Sequence, residues 1–258
     1  MPEIDAIPRP VVGFADDFPG GHVIPRHRHL RGQLIHASTG VMTVTTGEGI
    51  WVVPPQRAVW VPGKIRHEIR MSGRVVMETL YLSDRALHGL PLDCRVVAIS
   101  PLLEQLIRRI VAMPRPYPKG GAEERLVGVA LDEIRTMEVA AFHLPRPSDP
   151  RLRRVTEALF ENPADERGLG EWAALAAASP RTLARLFQRE TGMSFGTWRR
   201  QLRLQRALEC LAGGESVTAI ALALGYDSTS AFISMFRRHL GRTPGSYFED
   251  EGRDSRPG

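Results

Sequence analysis

The alternation of apolar and polar residues changes character twice along the chain. From Pro10 to about Leu82, short β-rich runs are punctuated by Gly and Pro: QLIHA, VMTVTT, GIWVVPP, AVWVP, HEIRM and VVMETLYL. Runs of that length at close spacing predict an antiparallel sandwich or barrel. From Ser100 to Phe142 the period becomes helical: Leu102, Leu103, Leu106, Ile107 and Ile110 line one face. After the breaker MPRPYPKGG, a second helix is predicted from Leu126, Val127, Val129, Ala130, Ile134 and Met137. The segment HLPRPSDP, His143 to Pro150, is stiff, polar and helix-incompatible, and reads as a linker. Everything after it is helix, loop, helix. The expected layout is a β domain over 1–99, a helical region over 100–143, a linker over 144–150, a helical domain over 151–250, and a disordered tail over 251–258.

The helical domain contains an internal repeat. Ser179-Pro180-Arg181-Thr182-Leu183 maps onto Ser228-Thr229-Ser230-Ala231-Phe232, 49 residues later, and Gly192 maps onto Gly241. Each copy reads as a short helix, a tight turn and a second helix. EWAALAAA leads the first, with Ser179 as N-cap and Pro180 at the first helical position. SVTAIALALG leads the second, with Gly225 in the turn and Asp227 or Ser228 as cap. Leu183, Leu186 and Phe187 form one apolar stripe, and Phe232, Met235 and Phe236 form the other. The outward faces then carry Arg181, Thr182, Arg185, Gln188 and Arg189 in copy one. In copy two they carry Thr229, Ser230, Ile233, Ser234, Arg237 and Arg238. A helix with a packed back and an Arg/Ser/Thr front suits a DNA major groove, where guanidinium and hydroxyl groups reach base edges and phosphates. One such helix is as readily an ordinary solvated face. Two, joined by the basic segment FGTWRRQLRLQRALECL, favour DNA.

Charge sharpens this reading. The formal net charge of the 258 residues is +5, and between Arg167 and Arg242 eleven arginines face five acids. Hydrophobic residues at 43% and charged residues at 24% are an ordinary globular balance. No run approaches the roughly 18 apolar residues of a membrane span. MPEIDAIPRP lacks the features of a secretory signal, and the two cysteines, Cys94 and Cys210, fall in different predicted domains. These features point to a cytoplasmic protein without a disulfide framework.

The strings SPRTLARLFQRETGMSFGTWRRQLRLQRALECL and VTAIALALGYDSTSAFISMFRRHLGRTPGSY resemble the DNA-binding domain of the AraC/XylS family of bacterial transcription regulators. The second is the more specific, carrying A-x-x-x-G-Y-x-S, F, F-R-R-x-x-G-x-T-P in order. The resemblance spans residues 168–248 and implies base reading by Arg181, Ala184 and Arg185 from one helix and Thr229, Ser230, Ile233 and Ser234 from the other. Arg237 and Arg238 are placed for phosphates. Ala177 stands in the first turn where many members carry Gly, and Ala184 offers no side-chain donor.

Pro25 to His67 resembles the cupin barrel that many such regulators carry as a sensory domain. His27-x-His29-x-x-x-Gln33 followed by Gly40 matches the first cupin motif, with Gln33 where metal-binding cupins have Glu; Pro62-Gly63 and His67 match part of the second. The fold class implied is α+β, an N-terminal cupin-like β-barrel followed by an all-α double helix-turn-helix domain. His27, His29, Gln33 and His67 mark the effector pocket, with Trp51 and Trp60 either beside it or simply in the core. Three imidazoles suit a divalent transition metal at His27, His29 and His67. The same His-x-His pair equally lines a metal-free pocket, and loss of the anionic Glu tilts the balance that way. His22 and His36 are assigned no special role. The helical segment 102–140 is a dimer surface by analogy, or a layer packed against the barrel.

The function expected is an effector-responsive, non-enzymatic regulator of promoter DNA. Its partners would be a small molecule, a second copy and, for an activator, RNA polymerase, with no membrane. The alternative is a cupin metalloenzyme, a dioxygenase or isomerase, fused to a DNA-binding domain. Gln33 and the lack of an acid/base pair beyond the histidines argue against it.

Overall fold

A computed structural model describes residues 2–140 and 143–248, so the expected tail at 251–258 lies outside the described residues. The chain divides into two compact units, Met1–Gly47 with Trp51–His143, and Glu48–Ile50 with Leu144–Gly258.

The first unit opens with a short helix, α1 (Pro2–Ala6), and continues into antiparallel strands. These are β1 (Val11–Phe18), β2 (Val23–His27), β3 (Gly32–Thr45), β4 (Gly49–Val53), β5 (Arg57–Val61), β6 (His67–Leu82) and β7 (Arg95–Ala98). Two helices follow, α2 (Pro101–Val111) and α3 (Ala122–Arg135). The long strands β3 and β6 pair along their whole length. On the other edge of β6, β1 pairs with its second half and β2 with its first. QLIHA and VMTVTT, expected as separate runs, are one strand, as are HEIRM and VVMETLYL. The polar interruptions that look like turns are register shifts, between Ala37 and Val41 around Gly40.

Period-2 alternation divides the sheet residues between two faces. One side of β3 carries Leu34, which joins Trp60, Leu80, Leu82 and Val11 in a core completed by Leu103, Leu106, Ile107 and Ile110 of α2 and Val127, Ala130 and Ile134 of α3. The apolar stripe of the helical region is thus spent on the sheet, each fully buried Leu or Ile contributing about 1.5–3 kcal/mol. Leu102 and Val129, read into that stripe, are instead 52% and 47% exposed. Ser100 caps α2 by accepting from the Leu103 amide, which rotates Leu102 outward.

The second unit is helical after a three-residue strand, β8 (His143–Pro145), at the division between units. Its helices are α4 (Pro150–Glu161), α5 (Leu169–Leu175), α6 (Pro180–Thr191), α7 (Phe195–Ala212), α8 (Val217–Ala223) and α9 (Thr229–Leu240). The segment expected as a polar linker contributes to this unit. Leu144 is buried with Leu152, Val155, Trp172 and Phe187, while Asp149 caps α4 with Pro150 inside it. α7 packs against α6 and against α8, burying Trp198 and Leu202, then Leu204, Ala207 and Leu208.

Candidate nucleic-acid interface and histidine site

The repeat is visible down to its caps. Ser179 accepts from the Thr182 amide at 3.1 Å and Ser228 from the Ala231 amide at 3.1 Å, so Ser228, not Asp227, is the second cap. Both long helices end on a left-handed glycine, Gly192 at φ 69° and Gly241 at φ 76°. The turns differ by one residue. Ala177 and Ala178 donate to Ala174 and Ala173, and Gly225 and Tyr226 donate to Leu222 and Ala221, so leading helices and turns repeat at 48 residues and second helices at 49. Asp227 is the extra residue. Gly225 sits at φ 70°, and a Cβ there would lie 2.8 Å from the Ala164 carbonyl oxygen. Ala177, in the equivalent place, adopts φ 51° despite its Cβ.

On α6, Leu183, Leu186 and Phe187 are buried while Arg181, Ala184 and Arg185 are exposed and Thr182 is half-buried. On α9, Phe232 and Phe236 are buried; Ser230, Ser234, Arg237 and Arg238 are exposed, and Thr229, Ile233 and Met235 are half-buried. Arg181 and Arg185 stand one turn apart, about 6 Å along the axis. Among the described residues, Arg181, Arg185, Arg237 and Arg238 make no ion pair, leaving four unpaired guanidinium groups on two exposed faces.

Four other arginines of the basic stretch do something else. Arg167 pairs with Asp165 and stacks over Trp172 at 4.0 Å. Arg199 donates to the Arg167 carbonyl at 3.2 Å, Arg203 to the Pro163 carbonyl at 2.8 Å, and Arg206 to Glu209 and to the Phe160 carbonyl. The basic face of α7 therefore fastens that helix to the end of α4 and the loop behind it. The charge excess counted from sequence overstates what is free for a partner.

In the first unit the structure brings the four expected pocket residues together. His27 ends β2 and is the register partner of His67, the first residue of β6. Their rings lie 4.4 Å apart between centroids, and His29, in the loop after β2, is 5.2 Å from His67. That loop is held because Lys64 donates to the His29 carbonyl at 2.8 Å. The contact requires Gly63: a Cβ there would sit 2.2 Å from the Leu30 carbonyl oxygen. One ring nitrogen from each histidine lies within 4.8 Å of the other two.

Each ring is oriented the same way. Nδ1 of His27 donates to the Pro25 carbonyl (2.8 Å), that of His29 to Arg31 (2.6 Å), and that of His67 to Ile65 (3.0 Å). Neutral imidazoles held so present their Nε2 lone pairs. The Nε2 atoms of His27 and His67 are buried with no hydrogen-bond partner among the described residues. Burial lowers the pKa of His29 and pushes His67 down to about 4. Gln33 Oε1 lies 2.9 Å from His29 Nε2, while Gln33 Nε2 donates to the Thr79 hydroxyl at 3.0 Å, which donates to the Leu34 carbonyl.

Trp60 is not part of this site. It is the register partner of Leu34, so it faces α2 and α3, opposite Gln33, and its indole donates to the Pro91 carbonyl. Trp51 is core as well, stacked on His143 at 4.5 Å. His36 has a setting that sequence reading missed. It is buried across from Glu78, its register partner, beneath Arg108, whose Nε is 3.9 Å from Glu78. Desolvation lowers the His36 pKa and raises that of Glu78. The alternation with Leu34 was the available signal.

Two family profiles match the chain: "AraC-like ligand binding domain" over residues 10–138 and "Helix-turn-helix domain" over residues 172–250. The HTH-type transcriptional regulator NimR of Escherichia coli K12 is 40% identical over 223 residues, which is 86% of this chain and 81% of that protein. The HTH-type transcriptional regulator RipA of Corynebacterium glutamicum is 39% identical over 103 residues, 40% of this chain and 31% of that one. Among solved structures, ToxT from Vibrio cholerae O395 aligns over 95% of this chain and 99% of its own at 10% identity, TM-score 0.41. No helix among the described residues is long and apolar enough to cross a membrane. With one profile over the sheet domain, the other over the paired helical units, and a relative at 40% identity over most of both chains, this chain belongs to the AraC family of DNA-binding transcription regulators with an N-terminal ligand-binding domain.

Proposed function

We propose that this regulator reads promoter DNA through the outward faces of α6 and α9 and responds to a small-molecule effector held at His27, His29, Gln33 and His67. The observation that carries the first half is the set of four arginines, Arg181, Arg185, Arg237 and Arg238, without an ion pair among the described residues, on helices whose backs are buried. Arg181 and Arg185, on the first two turns of α6, are the base-reading candidates, since a guanidinium pairs bidentately with guanine O6 and N7. Thr182, Thr229, Ser230, Ile233 and Ser234 complete the reading faces, and Arg237 and Arg238, in the last turn of α9, take phosphates.

The second half is supported by the convergence of two buried imidazoles, a half-buried third and an amide in the domain whose family profile is a ligand-binding one. The relatives named above are regulators, which favours a sensor over an enzyme. The protein acts as a cytoplasmic homodimer, with RNA polymerase as a further partner if it activates. Thermal-shift screening of the whole chain against a metabolite library tests the sensor, because a ligand of the native state raises apparent stability. A hit whose shift disappears in His27→Ala, with effector-free DNA affinity unchanged, is the expected result. A hit that survives in that variant and in His67→Ala places the effector elsewhere.

A further inference from the structure

We propose that the first unit holds a second ligand site, a basic cleft that takes a small dianionic molecule, a phosphate monoester or a dicarboxylate. The cleft has a volume of about 610 Å³, within the range of small-molecule pockets. It lies between the segment at 7–10 that leads into β1, the turn at 83–85 that follows β6, and the connection from α2 into α3. None of its lining residues is one of the four that converge in the histidine pocket. Arg9, Arg31, Arg85 and Lys119 line it, against Asp84 and Glu124. Four cations less two carboxylates leave an excess of two positive charges, which a dianion neutralises.

The protein does not compensate these charges itself. Among the described residues none of the four cations makes an ion pair, and the exposed Arg85 and Lys119 make no side-chain hydrogen bond either. Arg9 donates only to carbonyls, from Nε to Tyr117 at 2.6 Å and from Nη1 to Pro8 at 2.8 Å. Arg31 does the same, from Nη1 to the Arg9 carbonyl at 2.9 Å and from Nη2 to the Ile7 carbonyl. Carbonyl dipoles orient a guanidinium but carry no net charge to balance it. Arg31 is only 6% exposed, and its Nε is buried with no hydrogen-bond partner among the described residues. A buried arginine is costly unless it is paired. Burial lowers its pKa despite Asp5, Tyr117 and Asp84 nearby. Of the two carboxylates in the cleft, Glu124 is engaged by the Gly120 amide, from which it accepts at 2.5 Å. Guanidinium forks match the geometry of carboxylate and phosphate oxygens, and a lysine adds a point charge. A cleft of this volume encloses a small molecule more fully than a DNA backbone.

The test is isothermal titration calorimetry of the whole chain with inorganic phosphate, glucose 6-phosphate and succinate at one fixed ionic strength, so that general screening is constant. Saturable binding of one molecule per chain is expected for at least one of the three, and which one binds separates phosphate from dicarboxylate recognition. Because Arg31 is buried and its loss threatens folding, the principal variants are the exposed Arg85→Ala and Lys119→Ala, each checked by circular dichroism. Each should weaken binding roughly tenfold or more, as loss of a hydrogen bond to a charged group does. Arg237→Ala removes the same charge from the second unit and His27→Ala alters the histidine pocket; both should bind as wild type does. Absence of saturable binding by all three anions, or binding unchanged in both cleft variants, overturns the proposal. Equal weakening in Arg237→Ala overturns it too, as a general charge effect. Loss in His27→Ala alone would place the anion in the histidine pocket and leave the effector reading standing. Lowered affinity for non-specific duplex in the cleft variants, with no small anion bound, would assign these groups to DNA instead.

Discussion

Ala177 and Gly225 occupy the same place in two turns, and only one of them is a glycine. A side chain with a Cβ loses roughly 1–2 kcal/mol in the left-handed region, partly recovered because glycine costs about 0.5–1 kcal/mol in unfolded-chain entropy. Ala177→Gly is therefore expected to stabilise the second unit by about 0.5–1 kcal/mol. Gly225→Ala should destabilise it by about 2 kcal/mol or more, because its new Cβ also meets the Ala164 carbonyl. Urea unfolding of the second unit's transition decides both, and equal effects of opposite sign would show that close approach contributes nothing. The buried histidines give a pH dependence. Burial pushes His143 down to about 4 and His67 to about 4, and lowers His36 as well. The unfolded chain takes up the protons of His143 and His67 near pH 6.5, the folded chain only near 4, so between these values the unfolded state binds more protons, and His36 acts in the same direction. Their contribution is whole above pH 6.5 and is lost as pH falls toward 4. His143→Phe keeps the stack on Trp51 and removes one titration, so the first unit's stability should fall less steeply over that window. An unchanged slope would remove His143 from the account.

At the scale of elements, the arginines of the second unit divide into fasteners and free groups. Arg203 donates to the Pro163 carbonyl from α7 and stacks over Tyr226 at 5.5 Å, whereas the Arg237 guanidinium has no partner among the described residues. Arg203→Ala should lower the stability of the second unit by about 1–2 kcal/mol, and Arg237→Ala should change it by no more than about 0.5 kcal/mol. Circular-dichroism melts of the two variants check this, and a destabilised Arg237→Ala would count against a free face. The elements themselves were largely legible. Caps at Ser179 and Ser228, glycine stops and period-3.6 stripes each leave a local mark, so the repeated helical units were readable from sequence. The sheet was less so. β1 and β2 carry too little alternation to stand out, and the register shift at Ala37–Val41 looks like a turn when only composition is in view. Leu102 and Val129 were misplaced because a stripe read by period alone is uncertain by one position until a cap such as Ser100 fixes its phase.

At the scale of the whole molecule, the histidine cluster was legible as residue types but not as geometry. Nothing local in the sequence shows that Nδ1 of each ring is tied to a carbonyl two residues away, or that Trp60 falls on the far side of the sheet from Gln33. The same holds for the segment after His143, whose prolines suggest a free linker although Leu144 is buried in the second unit. A fragment beginning at Leu144 should therefore be more stable than one beginning at Arg151 by about 1.5–3 kcal/mol, the value of one buried leucine, as chemical denaturation of the two would show. Equal stability would make Leu144 dispensable. The central claim is a division of labour, with sequence read by the second unit and ligand sensed by the first. Selection of operators from a randomised duplex pool by wild type, Arg181→Ala, Arg185→Ala and His27→Ala tests it most directly. The account predicts one motif shared by wild type and His27→Ala. Preference should be lost at a guanine position in at least one arginine variant, at about 1–3 kcal/mol of discrimination. A motif altered by His27→Ala, or untouched by both arginine variants, would contradict it.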